Sequence, residues 1–133
     1  MAKAVRSPEG KERQKIRSRL KQQEKRTQHL YRVQMLLNAS RQRARQKNRE
    51  NTLTLEDILN IWPPDNKCPV FGFDLEWNST GFRETSPSID RIDSSKGYTP
   101  DNIQILSWKA NRIKAYATVE ELEAVVSFMK QGD

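Results

Sequence analysis

Ser88-Ile89-Asp90-Arg91-Ile92-Asp93 and Asn102-Ile103-Gln104-Ile105-Leu106-Ser107, followed at once by Trp108-Lys109-Ala110-Asn111-Arg112-Ile113-Lys114, decide the fold. In both of the first two runs apolar residues alternate with polar ones, the period of a half-buried strand. Between them, residues 94–101 carry Gly97 and Pro100, enough to turn a long hairpin loop. Ser107 is placed to cap a short helix running from Trp108 to about Tyr116. The unit read from about 88 to 115 is therefore strand, long loop, strand, helix, an α+β arrangement.

Working outward, Thr118-Val119-Glu120-Glu121 is a capping box that opens a helix to about Gln131, with Val119, Leu122, Val125, Val126 and Met129 on one face. Gly132 ends it. Upstream, residues 76–88 are polar and read as a loop, and Cys68-Pro69-Val70-Phe71-Gly72-Phe73 reads as a strand and turn. Thr54-Leu55-Glu56-Asp57 resembles a capping box with Asp in place of Glu or Gln, and starts a helix that Pro63-Pro64 stops. From Lys11 to about Asn48 there is no proline or glycine, and strong helix formers dominate. The early part has a thin apolar face, Ile16 and Leu20, and is expected to order on a polyanion. The part from about 28 to 47 has a usable stripe and is expected to dock on the rest. Residues 1–10, with Pro8 and Gly10, are expected to be disordered. No internal repeat is apparent.

The charge is unevenly spread. The chain of 133 residues carries +7 overall. Residues 1–50 hold 16 Lys/Arg against 4 Glu, a net of +12, and residues 51–133 hold 8 Lys/Arg against 13 acids, a net of −5. This suggests a basic helical arm over 1–50 joined to a working domain over 51–133, with a nucleic acid as the natural counterpart of the arm. A merely solubilising charged helix is the plain alternative. No stretch approaches the length of a membrane span and no apolar run follows the first residues, so no membrane association is expected and a cytoplasmic location is. A single cysteine, Cys68, excludes an intrachain disulfide framework and a multi-cysteine zinc site within one chain. A homodimer through the long helix is compatible with the pattern, although no apolar heptad is sustained.

Folding the hairpin onto the following helix can bring Asp90 and Asn111 together. A carboxylate and an amide oxygen are hard ligands suited to Mg²⁺ or Mn²⁺. An ion there can stabilise the leaving oxygen and the charged transition state of phosphodiester cleavage. Lys96, Lys109, Arg112 and Lys114 stand nearby to hold backbone phosphates, and Arg41, Arg43, Arg45, Lys47 and Arg49 extend the basic surface. Taken singly, an Asp or Asn at these places more often caps a strand or turn.

Several ordered motifs together resemble the phage-encoded HNH endonucleases of the ββα-metal superfamily. They are Asp90-Arg91-Ile92-Asp93, Lys96-Gly97-Tyr98, Asn102 with its strand, Ala110-Asn111-Arg112-Ile113-Lys114 and Ala117-Thr118, preceded by Arg43-Ala44-Arg45, Leu55-Glu56-Asp57-Ile58 and Cys68 to Phe73. The resemblance covers about residues 36–125. It implies a ββα-metal core carrying a long basic N-terminal helix and a C-terminal helix, and metal-dependent cleavage of double-stranded DNA by a phage homing or recombination enzyme in a bacterial host. Asp90 matches the metal-binding Asp, Asn102 the Asn that braces the loop of the catalytic base, and Asn111 the helix residue completing the metal site.

The sequence departs from the family pattern twice. Arg91 stands where the general-base His is expected, and a guanidinium with a pKa above ~12 accepts no proton from water. It can still clamp the scissile phosphate. Asp93 is the alternative base, with capping of the hairpin loop as its competing role. His29 lies in the basic helix and is expected at the surface. Second, Cys68 is one remnant of the paired zinc knuckles of many relatives, so no structural zinc is expected and Phe71, Phe73, Leu75 and Trp77 should pack that region. Trp62, Trp77, Trp108 and Tyr116 are expected in the core. The alternatives to an endonuclease are a nuclease-like module that binds DNA without cutting it, and a basic RNA- or assembly-binding protein.

Overall fold

The structure is a computed structural model describing residues 7–78 and 81–132. Among the described residues there are four helices, α1 (Pro8–Gln46), α2 (Leu55–Ile61), α3 (Trp108–Lys114) and α4 (Val119–Gln131), and one antiparallel pair, β1 (Pro87–Arg91) and β2 (Ile103–Ser107); α1 and α3 pack on the pair and α2 on α1. The fold is α+β.

The strands pair with Ser88 opposite Leu106, Ile89 opposite Ile105 and Asp90 opposite Gln104. Strand alternation then puts Ser88 and Asp90 on one face and Ile89 on the other. The second strand feeds directly into α3, whose first turn is capped as expected: Ser107 Oγ accepts from Ala110 N at 3.1 Å. The connection between the strands is longer than the alternation predicts. Ile92 and Asp93 lie beyond β1, and Asn102 closes a short 3-10 turn before β2.

Val33, Leu36, Leu37 and Ala44 of α1, Ile58 of α2, and Ile89, Ile103 and Ile105 of the strands form one core, closed by Leu75, Cys68 and Tyr98. The last turns of α1 therefore dock as the 28–47 stripe predicts, while no residue from Ser7 to Gln28 is buried. Thr54 and Thr118 both form the expected capping boxes.

Several expectations are corrected. Helix α1 begins at Pro8, not Lys11: Ser7 Oγ accepts from Gly10 N at 3.1 Å, Pro8 takes the first helical position, and Glu9 faces the positive end of the helix dipole. Pro8 starts the helix here instead of breaking the chain, so the disorder expected over 1–10 fails for 7–10, and residues 1–6 lie outside the described residues. Residues 68–73 form turns, not a strand. Gly72 adopts φ 79°, its N–H bonds Cys68 O at 2.8 Å, and Lys67 and Asp74 close the turn as an isolated bridge. Leu75 is buried and Phe73 and Trp77 pack beside it, but Phe71 is exposed. His29 is not a surface residue: its Nδ1 accepts from Trp77 Nε1 at 3.0 Å and its ring meets Trp62 edge-on at 4.7 Å. Tyr116 is exposed instead of being part of the core, and helix α4 buries none of its apolar face.

Candidate nucleic-acid and metal site

A groove of about 370 Å³ opens where the end of α1, strand β1 and helix α3 meet. Its walls include five cationic side chains, Arg43, Lys47, Arg49, Arg91 and Arg112, and one acid, Asp90. Asn111 lies in the same walls. The chain thus brings Asp90 and Asn111 to one groove, and Lys114 reaches it by its contact with Asp90.

Asp90 is only 6% exposed. Its position opposite Gln104 lets Gln104 Nε2 donate to Asp90 Oδ2 at 2.8 Å. From α3, Lys114 Nζ forks across the carboxylate, 3.2 Å from Oδ1 and 3.0 Å from Oδ2, and donates to Arg91 O at 2.9 Å. Asn111 stands three residues before Lys114, on the same side of α3. Its Nδ2 donates to Ser88 Oγ at 3.1 Å and to Ile89 O at 3.5 Å, and Oδ1 is its acceptor atom.

The three oxygens around Lys114 Nζ are those a hard divalent cation takes, and the ammonium shows that a cation is accommodated there. Among the described residues no group of three His, Cys, Asp or Glu could hold a metal, so an ion would rest on Asp90 with amide, carbonyl, water or phosphate oxygens. Asp90 and Asn111 are the groove side chains whose oxygens could hold Mg²⁺ or Mn²⁺.

The long loop is pinned from inside. Asn102 Oδ1 accepts from Asp93 N at 2.9 Å, and its Nδ2 donates to Asp93 O at 3.1 Å and Gly97 O at 2.8 Å. Tyr98, buried, exchanges backbone bonds with the segment after α1: Tyr98 N donates to Glu50 O at 2.8 Å, and Thr52 N to Tyr98 O at 3.0 Å. A Cβ at residue 97 would collide with the Glu50 carbonyl, so Gly97 permits this approach. Asp93 Oδ1 accepts from Ser95 N at 2.9 Å and Ser95 Oγ at 2.6 Å. Those bonds hold its carboxyl below the usual carboxylate range, and it is not among the groove walls.

Arg91 and Arg43 both lie over the Tyr98 ring, at 5.2 and 5.9 Å, and Arg43 Nε donates to Tyr98 Oη at 3.2 Å. Arg49 donates to Ser95 O, and Arg41 Nη2 to Leu53 O at 3.2 Å. Lys47 Nζ donates to Tyr116 Oη at 2.9 Å, which lowers the phenol pKa. Arg112 stacks 4.5 Å from Trp108. Lys109 lies 3.8 Å from Glu84, and Lys109, Arg45 and Lys96 are not among the groove walls; Arg45 and Lys96 are exposed. Sequence reasoning missed Gln104, Tyr98 and Tyr116. The alternation of β2 carries a signal for Gln104, but only the strand register places it on Asp90.

The architecture is that of an HNH-like fold, shown by a likeness to a solved structure. That structure is the rare-cutting HNH restriction endonuclease PacI, solved in a study of how it perturbs DNA. The two share a TM-score of 0.52 and 21% identity over 75% of this chain and 78% of that one. No family model and no curated protein matches the chain.

Proposed function

We propose that this protein is an HNH-type endonuclease that hydrolyses phosphodiester bonds of double-stranded DNA with Mg²⁺ or Mn²⁺. The observation carrying this reading is the groove in which five cations surround one buried carboxylate. Such a surface attracts a polyanion and still offers one hard, anionic ligand at its floor. The PacI likeness supports the same class through the fold. A phage homing or recombination enzyme working in a bacterial cytoplasm is the setting that the sequence motifs favour.

In this reading Asp90 and Asn111 hold the ion, which would supply charge stabilisation for the phosphate and the leaving oxygen. Arg91 sits beside Asp90 with its guanidinium on Tyr98, placed to clamp a non-bridging phosphate oxygen. Asn102 fixes the loop that follows Arg91. Arg43, Lys47, Arg49 and Arg112 hold flanking phosphates, and the exposed first half of α1 extends the contact along the duplex. Lys96, Lys109 and Arg45, outside the groove walls, would add only long-range attraction to the duplex.

A second reading has its own observation. No histidine lines the groove among the described residues, and Asp93, the alternative base, spends its carboxylate on Ser95. A module that grips DNA without cutting it would look the same. Asp90→Ala and Asn111→Ala separate the two. On the endonuclease reading each variant shifts a DNA duplex in a gel like the wild type and loses cleavage. Cleavage persisting in both variants would contradict the assigned centre.

A further inference from the structure

Lys114, at the edge of the groove, has its charge paired with the buried carboxylate of Asp90. Its ammonium donates to Asp90 Oδ1 at 3.2 Å and to Arg91 O at 2.9 Å, and stands 3.0 Å from Asp90 Oδ2 as an ion pair. Each carboxylate oxygen accepts about two hydrogen bonds. Gln104 takes one place on Asp90 Oδ2, Lys114 one on Oδ1, and the Lys114 charge lies against both oxygens. The carboxylate is 6% exposed and the lysine side chain 31%, so water screens this pair less than a surface ion pair. A cation approaching Asp90 from the groove meets an ammonium already holding the oxygens it needs.

We propose that Lys114 is a built-in counter-cation of Asp90, which a divalent ion must expel to reach its ligands. This rests on the reading of Asp90 as an ion ligand and deepens it. Until the ion arrives, Lys114 balances the buried charge and keeps both carboxylate oxygens aimed across the strand toward α3. An ion would take the place at Asp90 that the ammonium holds, with Asn111 as the other side-chain ligand. Lys114 thereby sets ion affinity, because every ion bound costs one ion pair broken. The competition favours a small, doubly charged cation over a monovalent one, since two charges on the same oxygens outbid one. A solvated phosphate-binding lysine, the ordinary role of a lysine on such a helix, would leave ion affinity unchanged.

The test is binding of Mn²⁺ alone, read from the loss of the free-ion electron paramagnetic resonance signal, with no DNA present. Wild type, Lys114→Met, Lys114→Arg and Asp90→Asn are compared. Lys114→Met is expected to bind Mn²⁺ on the order of tenfold more tightly than wild type, because nothing else balances Asp90. Lys114→Arg, which keeps a cation, is expected to stay near wild type, and Asp90→Asn to lose the site. Thermal melting in chelator and in Mn²⁺ gives a second readout: Lys114→Met melts lower in chelator and gains more from Mn²⁺ than wild type does. Should Lys114→Met not fold, Lys114→Gln takes its place in both measurements. Equal affinity in wild type, Lys114→Met and Lys114→Arg, with Asp90→Asn still losing the site, would overturn the counter-cation and leave the ion ligand standing. Absence of saturable Mn²⁺ binding in both wild type and Lys114→Met would overturn the ion-ligand reading, and the counter-cation with it.

Discussion

At the scale of single residues, the proposed endonuclease turns on Arg91. It occupies the strand end beside Asp90, donates to Lys96 O at 2.9 Å and stacks on Tyr98, so its guanidinium is held rather than free in solvent. A fixed cation costs little reorganisation when charge develops on a phosphate. Arg91→Ala is expected to lower the cleavage rate by roughly 10²–10³ with the gel shift nearly unchanged, measured as single-turnover cutting of a labelled duplex. A loss of binding as large as the loss of rate would place Arg91 in ground-state attraction instead. Alternation and the helix start place Asp90 and Asn111 on a strand and a helix, and the resemblance to HNH endonucleases is what singles them out in the sequence. Lys114 and Gln104 could not be assigned to them. A lysine on a helix reads as a surface charge, and only the register of β1 on β2 and the seating of α3 show both side chains ending on one carboxylate.

At the scale of elements, caps and periodicity carried the reading furthest. Thr54, Ser107 and Thr118 each start a helix where their side chains can accept from the first turn, an interaction worth about 1 kcal/mol apiece. Elements set by turns were harder to read: residues 68–73 look apolar enough for a strand, yet Pro69 and Gly72 belong to a chain reversal. His29 was also hidden, because its partners Trp62 and Trp77 arrive from distant sequence. Burial disfavours its charged form and lowers its pKa below the ordinary 6.5. The unfolded chain therefore takes up the proton first as pH falls, so this contribution to stability is present above the unfolded value and lost below it. Melting temperature should fall between about pH 8 and about pH 5 more steeply in wild type than in His29→Gln. Equal slopes would show that His29 is not linked to the docking of α1.

At the scale of the whole molecule, the asymmetry of charge is the feature most plainly written in the sequence: +12 over 1–50 against −5 over 51–133. Folding partly reverses it at one place. The end of α1 turns Arg43 and Lys47 toward β1, so the basic half supplies walls to a groove whose acid comes from the other half. That juxtaposition depends on contacts such as Tyr98 with Glu50 and Asn51, far apart in sequence from α3, and no local pattern announces them. Among the described residues no helix is long and apolar enough to cross a membrane. The most direct measurement is the fate of supercoiled plasmid incubated with pure wild-type protein in Mg²⁺ or Mn²⁺, with and without chelator. The account predicts nicked or linear DNA with the ion and intact plasmid with chelator. Plasmid left supercoiled in every ion, while the same protein retards it on a gel, would contradict the endonuclease and leave a DNA-binding module.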